Sequence, residues 1–90
     1  MYKIQASKKC KQQLKKAVSK GKDVEKLNRV VETLKGGEKL EEQFKDHKLR
    51  GSKKDLRECH IEPDWLLIYK IEKEKLLLLL IETGSHSDLF

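Results

Sequence analysis

The sequence predicts an α+β fold: an N-terminal strand, an antiparallel helical hairpin, then a three-stranded antiparallel meander, forming one twisted sheet with the helices on one face. Three observations lead there. Apolar residues between positions 7 and 35 recur at helical spacing in two blocks separated by a glycine. Beyond residue 55 they gather into short runs of strand length divided by turn residues. Ninety residues give room for one domain, 1–90, with a single sheet and two helices.

Tyr2 to Ala6 alternates modestly and reads as a strand, at the edge or the centre of the sheet. Ser7 can cap the following helix, because its hydroxyl can accept from a free N–H of the first turn. Cys10, Leu14, Ala17 and Val18 then fall at i, i+4, i+7 and i+8, one helical face. Gly21 ends this helix, and Asp23 caps a second whose apolar face is Val24, Leu27, Val30, Val31 and Leu34. Gly36-Gly37 stops it. Residues 38–54 are polar around the isolated anchors Leu40, Phe44 and Leu49, an ordered connection with a short strand near His47 and a break at Gly51-Ser52.

Leu56 to Ile61 reads as a strand, Glu62-Pro63-Asp64 as a turn, and Trp65 to Ile71 as the next strand. Glu72 to Lys75 makes a turn without the Asn-Gly pair of a tight hairpin. Leu76 to Ile81 is the third strand, apolar on both faces and therefore central. Leucine favours helix, but the six-residue length and the nearby Gly84 favour strand. With the helices on one face of the sheet, the other stays open for a large ligand.

Charged residues make up 40% of the chain and apolar residues 37%, with a net charge of +6. Apolar clusters of this periodicity are incompatible with complete disorder. The charge is unevenly spread. Residues 1–22 carry eight lysines and no acid, and residues 45–57 carry Lys45, Lys48, Arg50, Lys53, Lys54 and Arg57 against Asp46 and Asp55. Two basic blocks suit a polyanionic partner, since each phosphate neutralised releases a counterion. A solvated helix face explains the first block equally well. Cys10 and Cys59 make no disulfide framework; each falls on a buried face. The chain opens without a signal-peptide core, and its longest apolar run, six residues, is too short to span a bilayer. A reduced, cytoplasmic protein without a membrane partner is expected.

The chemistry-bearing residues are three histidines, each near an aspartate. His47 follows Asp46, His60 precedes Asp64 by four residues, and His86 precedes Asp88 by two. Histidine titrates nearest neutrality, so several together can supply both a general base and a general acid. Each stands near a strand end, so all three can converge on one edge, beside Arg50, Lys53, Lys54 and Arg57. RNA cleavage without a metal requires such groups: a base for the 2′-hydroxyl, an acid for the departing 5′-oxygen, and cations for the charge on phosphorus. Trp65, Tyr69 and Phe90 are candidate platforms for an unstacked base. The bland readings stand beside these: surface histidines, Trp65 as core, Asp64 as a turn residue. No CxxC or HxxxH spacing points to zinc.

Lys45-Asp46-His47-Lys48-Leu49-Arg50-Gly51, the block H-x-E-P-D-W-x-L-x-Y over 60–69 and the ending Thr83-Gly84-Ser85-His86-Ser87-Asp88-Leu89-Phe90 resemble the YafQ branch of the RelE/ParE toxin superfamily. The resemblance covers essentially the whole chain, the N-terminal half being generic. It implies a RelE-like fold and the toxin half of a type II toxin–antitoxin pair. Such a toxin is an mRNA interferase that cuts mRNA at the ribosome without metal or other cofactor, leaving a 2′,3′-cyclic phosphate. It implies functional residues at His47, His60, Asp64, Trp65, His86 and Phe90, with His86 as general acid, Asp64 or His60 as base and His47 on the phosphate. It also implies an antitoxin whose C-terminal segment covers the site, and a monomeric free toxin. A ParE-like gyrase toxin, which lacks the histidine set, and a non-catalytic nucleic-acid-binding module are the competing readings.

Overall fold

The computed structural model describes residues 1–51 and 55–90. Strand β1 (Lys3–Ala6) leads into helices α1 (Lys8–Ser19) and α2 (Val24–Lys35). A 3-10 turn at Glu42–Phe44 precedes the short β2 (His47–Lys48). The meander follows as β3 (Arg57–Glu62), β4 (Trp65–Glu72) and β5 (Leu77–Gly84), and a one-turn helix α3 (His86–Leu89) closes the chain. The sheet order is β1-β5-β4-β3-β2, with β1 parallel to β5 and the other neighbours antiparallel.

The helical hairpin forms where local chemistry calls for it. Ser7 Oγ accepts the N–H of Cys10 at 2.9 Å, and Asp23 Oδ1 accepts that of Glu25 at 3.0 Å. Each satisfies a donor that the first turn of a helix leaves unpaired. Between them Gly21 adopts φ +88°, a left-handed conformation that glycine enters without steric cost. Leu27, Val30, Val31 and Leu34 are buried on α2, as their spacing predicts. On α1 only Cys10 is fully buried; Val18, at the margin of the expected face, is 48% exposed.

Helix α1 packs on β5 and α2 on β3, and the core lies between helices and sheet. Cys59, Trp65, Leu67, Tyr69, Leu78 and Leu80 supply its sheet side. Because side chains alternate along a strand, Leu66 and Ile68 point to the opposite face, yet both are at most 1% exposed. β4 is thus the strand buried on both sides, and each such side chain contributes roughly 1.5–3 kcal/mol by leaving water. The face away from the helices is less open than its predicted role suggests.

The last hairpin departs from the expected boundaries. Lys73–Lys75 forms a 3-10 turn that Leu76 closes at φ +52°, 56% exposed. Leu76 is therefore a turn residue, and the strand runs from Leu77 to Gly84. A bulge against β4 between Ile68 and Tyr69 lets it continue past Ile81. Helix α3 lies beyond the predicted elements, although Ser85-x-x-Asp88 announces it: Ser85 Oγ accepts from the N–H of Asp88, and Asp88 Oδ2 accepts from that of Ser85 at 3.0 Å. Gly84 makes room for this cap, since a Cβ there would stand 3.0 Å from Asp88 Cβ.

Candidate active site

The three histidines come together on the face turned away from the helices. His47 on β2 pairs with Glu58 on β3, and His60 lies two residues further along that strand. Cross-strand partners share a face, so His47, Glu58 and His60 project together. His86 joins from the start of α3. The ring centroids of His47 and His60 are 6.5 Å apart, and those of His60 and His86 are 5.6 Å apart. A bulge between His60 and Glu62 bends β3 beside this row.

In every one of the three rings Nδ1 is held by an oxygen. His47 Nδ1 meets the carbonyl of Lys45 at 2.6 Å, His60 Nδ1 the carbonyl of Pro63 at 3.3 Å, and His86 Nδ1 the carboxylate of Asp64 at 2.7 Å. A carbonyl oxygen has no proton to give, so Nδ1 of His47 and of His60 must be the donor. Nε2 is then the working nitrogen of each ring. The Nε2 atoms of His47 and His60 stand 3.5 and 3.6 Å from the same oxygen, Oε1 of Glu58. Glu58 is 5% exposed, and a carboxylate so withdrawn from water needs cationic or hydrogen-bonding neighbours. It is the site residue that sequence reasoning missed; a lone glutamate in a strand of a chain this rich in charge carries no distinguishing signal.

The aspartates do not pair as their sequence neighbourhoods suggest. Asp64 Oδ1 accepts both the backbone N–H of His86, at 2.9 Å, and its ring, and these bonds hold the Asp64 carboxyl below its usual range. Asp46, beside His47 in sequence, turns to the core face, where it accepts from Tyr69 Oη and from Arg57 Nε at 3.2 Å. That bond raises the Arg57 guanidinium further above its already high value. Asp88, next but one to His86, is occupied in capping α3.

Several expected substrate contacts fall elsewhere. Arg57 pairs with Tyr69 across the sheet and so lies on the opposite face from the histidines, with its charge on Asp46. Trp65 is 1% exposed; its Nε1–H donates to Thr83 Oγ1 at 2.9 Å, whose hydroxyl in turn donates to the carbonyl of Leu66 at 2.7 Å. Trp65 and Tyr69 are buried core rings, because the alternation of β4 directs odd positions under the helices, though Trp65 also borders a hollow beside α1. Phe90 is 61% exposed beside His86, to whose carbonyl its N–H donates at 2.9 Å. Arg50 is exposed two residues beyond β2. Lys53 and Lys54 lie outside the described residues.

Two hollows flank the row. One, of about 440 Å³, lies between the C-terminal half of α1 and the β5–α3 junction, with Lys16, Lys20, Asp64 and Ser87 on its walls. The other, of about 530 Å³, opens beside His60 and His86. Lys22 and Lys26 bind Glu62 at 3.1 and 2.8 Å and tie the helical hairpin to the β3–β4 turn. Both cysteines are buried free thiols; desolvation pushes Cys10 up to about 11 and Cys59 to about 12, which leaves them protonated and unreactive. Among the described residues, no group of three or more His, Cys, Asp or Glu stands close enough to hold a metal ion, and no helix is long and apolar enough to cross a membrane.

Comparison with known proteins agrees with this architecture. A family model described as the bacterial toxin of type II toxin–antitoxin system, YafQ, matches residues 2–90. The mRNA interferase toxin YafQ of Escherichia coli strain K12 is 41% identical over 78 residues, 86% of this chain and 83% of that protein. A metal-bound toxin from Helicobacter pylori superposes with a TM-score of 0.95 at 46% identity over 100% of both chains. YafQ in the E. coli DinJ–YafQ complex superposes at 0.90 with 36% identity, over 100% of this chain and 99% of its own. These matches define a class, the toxins of bacterial type II toxin–antitoxin systems. Within that class the chain belongs to the YafQ family.

Proposed function

We propose that this protein is an endoribonuclease that cuts mRNA, the toxin of a pair whose antitoxin silences it. The observation that carries the reading is the row of three imidazoles with Nδ1 anchored in each, the Nε2 atoms of His47 and His60 beside a buried carboxylate and the His86 ring next to that of His60. That is the equipment for 2′-hydroxyl attack. His60 Nε2 takes the proton of the 2′-hydroxyl, with the Pro63 carbonyl behind the ring at Nδ1 and the Glu58 carboxylate 3.6 Å from Nε2 to stabilise the charge it gains. The 2′-oxygen bonds to phosphorus as the bond to the 5′-oxygen breaks, and His86 Nε2 delivers a proton to that leaving oxygen. The products are a 2′,3′-cyclic phosphate and a 5′-hydroxyl.

His47, half exposed beside Glu58, contacts the phosphate oxygens. Asp64, fully engaged by His86, acts as its positioning residue rather than as the base. Arg50 and Phe90 serve the RNA strand, and Lys53 and Lys54 add positive charge from the same basic stretch of sequence. The lysines of α1 extend this basic surface, and the net charge of +6 favours both RNA and an acidic antitoxin segment. The relative crystallised as the DinJ–YafQ complex supports such a partner. The protein acts in the cytoplasm, as a monomer, on mRNA held by the ribosome.

His86→Ala tests the reading. Induced cells with mapped RNA ends should lose cleavage and growth arrest, while the purified variant still binds RNA. Undiminished toxicity of His86→Ala would overturn the catalytic assignment and favour a gyrase-directed toxin or a plain nucleic-acid binder.

A further inference from the structure

A nuclease of this kind must place the base beside the scissile phosphate, and the rings of Trp65 and Tyr69 are 1% exposed. The hollow of about 530 Å³ beside the histidines is the right size for a small ligand, within the range of roughly 300–1,000 Å³. His60 and His86 form its catalytic side. Phe44 and Pro63 give it apolar walls, and Gln43 and Lys45 bring polar groups to it.

The wall that carries Gln43, Phe44 and Lys45 is held stiffly. The N–H groups of Phe44 and Lys45 donate to the carbonyls of Glu41 and Glu42, both at 3.0 Å, and Phe44 packs in part against the core. Lys45 takes φ +48°, a left-handed conformation that side chains rarely adopt, and its carbonyl is the one that grips His47 Nδ1. One turn therefore sets the position of a catalytic imidazole and of the cavity wall together.

We infer that this cavity is a nucleobase pocket. An unstacked base of single-stranded RNA lies against Phe44 and Pro63, and the amide of Gln43 reads a base edge that offers a donor beside an acceptor. The attached sugar and phosphate reach His60 and His86, with the ammonium of Lys45 at the phosphate. The inference rests on the endoribonuclease reading and adds to it the element that selects the base at the cut.

The test pairs a binding measurement with a cleavage measurement. Nucleoside monophosphates and ribose 5-phosphate are titrated into the isotopically labelled protein and followed by NMR. Both should move the His60 and His86 resonances, whereas only the nucleotides should also move Gln43, Phe44 and Lys45. Phe44→Leu, which keeps core packing but removes the ring, should weaken nucleotide binding by about tenfold, the measure of a lost base stack. Gln43→Ala, at an exposed position, should broaden the base distribution at cut sites mapped in mRNA on translating ribosomes. The pocket is overturned if nucleotides perturb nothing beyond what ribose 5-phosphate does, or if both variants cut with the parent's base preference. Should the parent protein cut no mRNA on translating ribosomes, the endoribonuclease reading fails while the titration still decides the pocket.

Discussion

Oδ1 of Asp64 lies 2.7 Å from Nδ1 of His86 and also accepts that residue's backbone N–H, so one carboxylate fixes both the main chain and the ring of His86. The turn between β3 and β4 thereby dictates where the last histidine points.

Asp64→Asn keeps the size of this group and removes its charge. Single-turnover cleavage of ribosome-bound mRNA should slow by about 10- to 100-fold, part of the 10²–10⁴ that a positioned acid supplies. The pH dependence of stability has a definite sign. The Asp64 carboxyl is held down in the folded protein, first by the backbone N–H of His86 and then by its ring. Its contribution is complete above the ordinary carboxylate value, about 3.9, and disappears as pH falls through the lower folded value. The Tm of Asp64→Asn should therefore lie below the parent's at pH 7, and the gap should close towards pH 2. A gap that widened in acid would contradict the assignment.

Glu58→Gln leaves a side chain of equal shape beneath His47 and His60 without the charge. Cleavage should drop by about tenfold or more, while the fold, read by circular dichroism and Tm, survives. Retention of full cleavage would remove Glu58 from the proton path.

Lys16 and Lys20 face the hollow beside Asp64, and no carboxylate among the described residues is in ion-pair contact with either. If RNA follows this hollow, Lys16→Ala and Lys20→Ala should each weaken binding and lower the slope of log K against log salt by about 0.7 for a single strand. The readout is fluorescence anisotropy of an uncleavable 2′-deoxy-substituted RNA over a salt series. An unchanged slope would return these lysines to a solvated helix face.

Gly84→Ala places a methyl 3.0 Å from Asp88 Cβ and 3.1 Å from its carboxylate, closer than such contacts normally occur. The α3 cap must shift by a few tenths of an ångström, and His86 with it. Cleavage should fall by about tenfold or more, because sub-ångström placement of a general acid governs its efficiency, with only a small loss in Tm. Unaltered kinetics would mean that α3 tolerates the displacement.

What could be read along the chain was whatever neighbouring residues decide among themselves. Ser7, Gly21 and Asp23 act on hydrogen bonds a few residues away, so the helical hairpin was legible, and Ser85-x-x-Asp88 would have disclosed α3 by the same logic. The three histidines were legible too, because imidazoles are scarce and chemically singular. Their partners were not: Asp46, just before β2, turns from His47 towards Arg57 and Tyr69, while Glu58, unremarkable in sequence, comes up between two rings. Likewise the parity of β4 sends Trp65 and Tyr69 under the helices. Local propensity and chemical type determined the elements and the candidates. Strand register, which pairs residues far apart in sequence and selects the face of each, decided which of them make the site.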